Sequence, residues 1–185
     1  MNIKKIKTIP LLINNKHPYY WSHGVINTTE IILIEIEAEN GISGYGESIA
    51  TPLPEGIKAF IDLASSYIVG KDVFENQRLI KNCYHSLFQA HGTCSAPRFG
   101  AQILSGIEMA LWDLCGKIVD KSVHELLGGK LRDRIEYFGF IQGNTPDELA
   151  FDAKKLFKNG HKVIYGKLGR DDLIDFEIVK KVREA

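Results

Sequence analysis

The sequence predicts an α+β domain, a three-stranded antiparallel meander followed by helices, with the start of a parallel β/α array behind it. Three observations carry this. Residues 3–48 alternate apolar and polar side chains around one hairpin signal, Asn40-Gly41. Residues 54–129 carry apolar side chains at helical spacing. After Arg132 the pattern becomes strand, helix, strand, helix with short connections, which implies parallel strands.

In chain order, Ile3–Ile13 alternates weakly and reads as a strand, and His17–Gly24, HPYYWSHG, reads as an aromatic, histidine-rich loop. Thr29–Glu39 is a clear strand; its inner face is Ile31 and Leu33 or Ile32 and Ile34, with Ile36. Ile42–Ser48 returns after the turn. Pro54–Gly70 reads as a helix with Ile57, Phe60, Ile61, Ala64 and Ile68 on one side. Asp72–Gln89 reads as a second, with Phe74, Leu79, Cys83, Leu87 and Phe88 inward.

The stretch Ser95–Gly129 organises the rest. Ser95 is placed to cap a helix and Pro97 falls in its first turn, where a missing N–H costs little. Ile103, Ile107, Ala110, Leu111, Leu114 and Ile118 form one face. The other carries Gly106, Met109, Trp112 and Gly116, so a helix apolar on most sides is expected between other elements. Ala101, Ser105, Gly106 and Cys115 are small enough for close approach. Ser122-x-x-Glu125 is a capping box, and Gly128-Gly129 closes the short helix it opens.

Further on, Ile135–Ile141 and Lys162–Leu168 read as strands. Thr145-Pro146-Asp147-Glu148 starts a helix with cap, N1 proline and N3 glutamate; Leu149, Ala153, Leu156 and Phe157 give its buried stripe, and Asn159-Gly160 stops it. Asp171 or Asp172 opens a last helix through Ile174, Ile178 and Val182.

Composition bounds the function. With 23 basic and 23 acidic residues the formal charge is zero, so neither nucleic acid nor a membrane surface is expected as partner. No apolar run has spanning length, and the N-terminus MNIKKIKTIPLLINNK lacks the long apolar core of a signal peptide. Three cysteines, Cys83, Cys94 and Cys115, are an odd set without close spacing, which points to reduced thiols in a cytoplasm.

Ser105-Gly-Ile-Glu-Met-Ala-Leu-Trp-Asp113, Gly116-Lys117 and His124-Glu-Leu-Leu-Gly-Gly129 resemble the last capping-domain helix of the mandelate racemase/muconate-lactonizing branch of the enolase superfamily. The G-x-x-G-Y-G-E pattern over residues 41–47 resembles the end of that family's capping-domain sheet. The resemblance implies a capping domain over residues 1–130 and, over 131–185, the first two β/α units of a (β/α)8 TIM-type barrel. A whole barrel needs eight units and roughly 250 residues, so the chain is expected to be a truncated enzyme.

The resemblance also implies site residues. Tyr165-Gly-Lys-Leu-Gly169 lies where the family carries Lys-x-Lys followed by x-Gly. Lys167 matches the second lysine, which abstracts a proton α to a carboxylate; Tyr165 stands in place of the first and cannot supply its charge. The plain alternative is a solvent-exposed lysine at a strand end. Loops matching residues 17–24 and 47–53 fold over the barrel mouth in the family, so Tyr19, Tyr20, Trp21 and His23 are expected to contact substrate; an aromatic loop packing on a neighbouring subunit is the alternative. The family's Mg2+ ligands are acidic residues on later strands, and no Asp or Glu here matches them. Mg2+ is therefore expected in the complete enzyme and not on this fragment. Glu108 and Asp113 are expected to be structural.

Three other patterns are set aside. Cys83-x-His85 with His91-x-x-Cys94 has zinc-like composition, but residues two apart on a helix face nearly opposite ways. Gly44-x-Gly46 lacks the third glycine of a dinucleotide fingerprint. Nothing orients Cys94 against His91 as a nucleophile pair. The reading is thus the N-terminal part of a Mg2+-dependent, homo-oligomeric enzyme that forms an enolate from a small carboxylate, such as an acid sugar or hydroxy acid, and then racemises, cycloisomerises or dehydrates it. The alternative is a non-catalytic association or folding module.

Overall fold

The computed structural model describes residues 1–51, 53–89 and 97–185. The chain divides into two compact units, one of Met1–Ile13 with Glu30–Lys130, the other of Asn14–Thr29 with Leu131–Ala185. The predicted cap Ser95, and His91 and Cys94 of the zinc-like set, lie outside the described residues.

The first unit contains a sheet of order β1-β2-β3, from β1 (Ile3–Trp21), β2 (Gly24–Ala38) and β3 (Ser43–Ile49). The β2–β3 hairpin closes as predicted. Gly41 takes φ 83°, and Asn40 Oδ1 accepts from the Ile42 N–H at 3.1 Å. The antiparallel register pairs Ile32 with Ser48, Ile34 with Gly46 and Ile36 with Gly44. All three isoleucines are fully buried, which settles the face that the sequence left open.

Helix α3 (Pro97–Val119) lies against that face. Contact is backbone to backbone. A Cβ on Gly44 would sit 2.2 Å from Ala110 O, one on Gly46 1.9 Å from Gly106 O, and one on Gly106 2.9 Å from Glu47 O. Gly44-x-Gly46 is therefore a docking strip for a helix. Ser48 Oγ extends the strip by donating to Gln102 O at 2.9 Å. At the free edge of β3, Asp113 Oδ2 accepts from the Tyr45 N–H at 2.8 Å and Lys117 Nζ donates to Ser43 O at 3.0 Å. Side chains of α3 thus occupy hydrogen-bonding places that a fourth strand would take. Glu108 accepts from Gln77 Nε2 at 2.9 Å, so both acidic residues are structural, as expected.

Helices α1 (Pro54–Ser65) and α2 (Asn76–Tyr84) complete the layer through Ile57, Ile61, Ala64, Leu79 and Cys83, with Val73 and Ile68 beside them. α3 is covered on most sides, as expected: Gly106 and Gly116 are buried and Trp112 is partly so, while Ala101, Ser105 and Met109 form a narrow exposed strip. Three expectations are corrected. The second predicted helix is three pieces, a 3-10 turn Val73–Glu75, α2, and a π turn His85–Gln89. In the 3-10 turn Val73 is buried and Phe74 is half exposed, the reverse of the helical reading. Phe60 leaves the buried stripe of α1 and joins an aromatic cluster with Phe88 and Phe99 instead. The short helix α4 (Val123–Leu126) begins at its capping box, with the Ser122 N–H donating to Glu125 Oε2 at 2.9 Å.

The second unit contains the distal ends of β1 and β2, then β4 (Gly139–Phe140), α5 (Pro146–Lys158), β5 (Ile164–Tyr165) and α6 (Asp172–Glu184). β4 and β5 are parallel, pairing Gly139 with Ile164 and Phe140 with Tyr165. The predicted strands over 135–141 and 162–168 shrink to these pairs, extended by Gly139 N to Val163 O at 2.7 Å and Ile141 N to Tyr165 O at 2.9 Å. A strand persists only where a neighbour pairs with it, and Ile135, Tyr137 and Val163 are largely exposed. Thr145 caps α5 as predicted: its hydroxyl accepts from the Glu148 N–H, and Glu148 Oε2 accepts from the Asn144 N–H at 2.7 Å. Asp171 caps α6. The buried stripe of α5 is Leu149 and Ala153, with Leu156 partly buried against them; Phe157, one residue further round the helix, is 68% exposed. On α6, Ile178 is buried and Val182 packs beside it, while Ile174 is exposed.

The aromatic stretch 17–24 is not a loop. β1 runs through Trp21, Ser22-His23 makes the turn, and β2 starts at Gly24. Aromatic residues suit a pleated ladder, and Asn15 ties it together. Its Nδ2 donates to Ile26 O at 3.1 Å and its Oδ1 accepts from Thr29 Oγ1 at 2.8 Å.

Candidate active site

Alternation along β4 and β5 sorts the second unit into two faces. Ile141 and Ile164 turn toward α5 and α6 and pack with Leu149, Ala153 and Ile178. Phe138, Phe140 and Tyr165 belong to the other face; their rings meet at 5.0 Å (Phe138–Tyr165) and 5.1 Å (Phe140–Tyr165). The strand ends then present Gln142 and Lys167, each two residues beyond the paired Phe140 and Tyr165. These are equivalent positions at the C-terminal ends of parallel strands.

Lys167 is half-buried. Its Nζ donates to Tyr19 Oη and lies 5.0 Å from the Tyr19 ring centroid, 5.9 Å from that of Trp21 and 6.0 Å from that of Phe140. All three faces are within the range at which a ring quadrupole attracts an ammonium. Among the described residues no ion pair joins a carboxylate to this amine. Tyr19 and Trp21 reach it together because they are two apart on one strand and share a face. Tyr20, between them, takes part through its backbone: its N–H donates to Gln142 Oε1 at 2.8 Å. His23 stacks edge-on against Trp21 with centroids 4.7 Å apart. Tyr165 is 43% exposed and engages Phe138 and Phe140 rather than Lys167.

Gln142 and Phe140 were not among the residues that the sequence singled out for the site. The available signal was position, two residues past a parallel strand and on its last paired residue. Gln142 is held at both ends: Nε2 donates to Ile141 O at 3.0 Å, and its backbone N–H donates to Asp152 Oδ2 at 3.0 Å. A hollow of about 600 Å³ lies on the helix-facing side, lined by Ile141, Ile164, Leu168, Val179 and Val182 among others, and does not include Lys167.

Among the described residues no group of three or more His, Cys, Asp or Glu could hold a metal ion. Of the zinc-like set, the buried Cys83 thiol donates to Ala64 O and His85 bonds Gln89. No helix among the described residues is long and apolar enough to cross a membrane.

Comparison with known proteins bears on this arrangement. The profile of the mandelate racemase / muconate lactonizing enzyme N-terminal domain matches residues 5–128. A D-galactonate dehydratase of Variovorax paradoxus (strain S110) is 30% identical over 129 residues, which are 70% of this chain and 32% of that protein. Among solved structures, a member of the enolase superfamily from Polaromonas sp. JS666 is 28% identical with a TM-score of 0.86, covering 100% of this chain and 49% of that one. A dipeptide epimerase from Enterococcus faecalis V583, solved with Mg and L-Leu-L-Tyr, is 24% identical with a TM-score of 0.84, covering 100% and 50%; at that identity the likeness is one of fold. The chain thus spans about half the length of these solved relatives and less of the curated ones. Its three-stranded antiparallel sheet with packed helices, together with the match over residues 5–128, places this chain in the mandelate racemase/muconate lactonizing enzyme family of the enolase superfamily, as carrier of the family's N-terminal domain.

Proposed function

We propose that the chain is the N-terminal part of a Mg2+-dependent enzyme that removes a proton α to the carboxylate of a small acid and forms the enolate. Residues 1–130 are its capping domain and 131–185 the first two β/α units of its barrel. Lys167 is the base, and the hairpin-tip residues Tyr19, Tyr20, Trp21 and His23 line the approach to it, with Tyr165 beside it. The observation that carries this reading is the Lys167 amine, at the C-terminal end of β5 on the face turned away from α5 and α6. That is the end at which barrel enzymes place their chemistry.

The relatives' names bracket the reaction. A dehydratase acting on an acid sugar and an epimerase acting on dipeptides both work on compounds with a carboxylate. Mg2+ in the complete enzyme would stabilise negative charge on the enolate. The residues described here offer no cluster for it. Their part is the proton: the amine lone pair takes it, and the C–H electron pair moves toward the carboxyl carbon. A cytoplasmic homo-oligomer fits the reduced cysteines and the exposed apolar side chains.

The test is α-proton exchange in deuterated water, catalysed by a complete chain carrying the whole barrel, with D-galactonate and dipeptides as trial substrates. Lys167→Ala should slow exchange by at least the factor of about 10²–10⁴ typical of one acid–base group. Unchanged exchange would remove Lys167 from the reaction.

A second reading, an association module, is favoured by the apolar residues left bare in the second unit, including Phe151 at 73%, Leu173 at 80% and Phe176 at 77% exposed. Sedimentation of the 185-residue chain at several concentrations decides it: self-association supports it, and a monomer at every concentration removes it.

A further inference from the structure

The Lys167 side chain is held by a residue 148 positions away in sequence. A lysine at a strand end has several rotatable bonds and, left alone, samples many positions. Here Tyr19 Oη accepts one of its N–H bonds, and the rings of Tyr19, Trp21 and Phe140 stand round the amine. Tyr19 is itself fixed. Its ring packs on Phe140 with centroids 5.7 Å apart. The next residue's N–H is bonded to Gln142 Oε1 at 2.8 Å, and Gln142 is anchored to Ile141 O and Asp152. A connected path therefore runs from the end of β4, through Gln142 and the Tyr20 backbone, to the Tyr19 hydroxyl and the amine. Tyr165, nearer in sequence, turns its ring to Phe138 and Phe140 instead.

We infer that Tyr19 is the positioning residue of Lys167, its hydroxyl held in place through the bond between the Tyr20 backbone and Gln142. This rests on the reading of Lys167 as the base. A neutral amine has two N–H bonds and one lone pair. With one N–H directed to Tyr19 Oη, the directions left to the lone pair narrow, and the α-proton has to arrive along one of them. Tyr19 keeps its own proton throughout: the substrate's proton goes to Nζ and the C–H electron pair to the enolate. Tyr19 thereby acts on the rate of proton transfer and not on substrate affinity, which departs from its expected role as a substrate contact.

Two measurements test this. The first needs no activity. The 185-residue chain is labelled with a trace of acetic anhydride, and acetylation of each lysine is read by mass spectrometry with the exposed Lys158 as internal reference. Tyr19→Phe, which keeps the ring and removes the hydroxyl, should raise labelling of Lys167 about fivefold, the factor set by losing one ordinary hydrogen bond. Gln142→Ala, which leaves Tyr19 intact but frees the hairpin backbone, should raise it as well. Unchanged labelling of Lys167 in both variants overturns the inference. The second uses the complete chain: Tyr19→Phe should lower kcat by about 10–100-fold with KM nearly unmoved. A raised KM at unchanged kcat overturns the inference and returns Tyr19 to substrate binding. If Lys167→Ala leaves exchange intact, the base reading falls, while labelling still decides whether Tyr19 positions the amine.

Discussion

Gly46→Ala places a methyl group 1.9 Å from Gly106 O and 2.7 Å from Ala110 N. Both are backbone atoms of α3, so no side chain can swing aside. Ordinary contact begins at 3.4 Å, which requires sheet and helix to part locally by about 1.5 Å. A radial gap of 0.5–1 Å already forfeits about a quarter to a half of a dispersion contact. The side chains flanking the contact, Ile32, Ile34 and Ile36 with Ile103, Ile107 and Leu111, are fully buried, and each is worth about 1.5–3 kcal/mol in place. Losing about a third of that at the nearest few, with overpacking strain of about 1–3 kcal/mol, gives a cost of about 3–5 kcal/mol. Net stabilities of domains are about 5–15 kcal/mol. Urea denaturation followed by the fluorescence of Trp112, in a Trp21→Phe background, should show the midpoint falling by roughly 1–3 M. Gly56→Ala in α1 is the control. A Cβ there would come no nearer than 4.0 Å, to Leu53 Cβ, and the substitution should stabilise by about 0.4–1 kcal/mol. A loss below about 1 kcal/mol for Gly46→Ala would refute close backbone contact between β3 and α3.

Thr145→Ala removes the hydroxyl that caps α5 and should cost about 0.5–2 kcal/mol, read as faster amide exchange in the first turn of that helix; unchanged exchange there would discount the cap. Burial pushes the Cys83 thiol from the ordinary 9.0 up to about 11. The folded chain then holds this proton more tightly than the unfolded one, so the contribution to stability is intact below pH 9 and is lost as pH rises through 11. Iodoacetamide at pH 8 should label Cys83 only after denaturation, and labelling of the native chain at the rate of a free thiol would contradict its burial.

How far the sequence could be read depended on the range of the signal. The capping boxes at Ser122 and Thr145 and the Asn40-Gly41 turn are local, and the structure has them where the residues stand. The inward face of β2 was ambiguous because Ile31, Ile32, Leu33 and Ile34 are all apolar. The deciding information lay on the partner strand, where Gly44 and Gly46 oppose Ile36 and Ile34 and leave room for α3. Phe60, Phe74 and Phe157 were misplaced because helical period alone does not say how wide the covered face is, or where a helix breaks. At the candidate site, the resemblance singles out Lys167 and, separately, Tyr19 and Trp21, but not that the two rings meet the amine. Taken as a loop, the stretch 17–24 has no parity. Once it is a strand, Tyr19 and Trp21 separate from Tyr20, and Gln142 acquires a backbone partner.

That parity restricts how the hairpin tip can change length. Inserting one residue into β1 between Asn15 and Tyr19, with the ladder below it held, would rotate every following side chain to the opposite face. Tyr19 and Trp21 would turn away from the amine, and Tyr20 would come round with Ser22 behind it. Two inserted residues would restore the face and move the aromatic pair outward by roughly 6.5–7 Å along the strand. Changes of even length therefore shift the reach of the tip, whereas odd ones exchange its chemistry. Variation in this segment among related chains should fall into those two kinds, and a bulge at the insertion point is the one local device that would let an odd change pass as an even one.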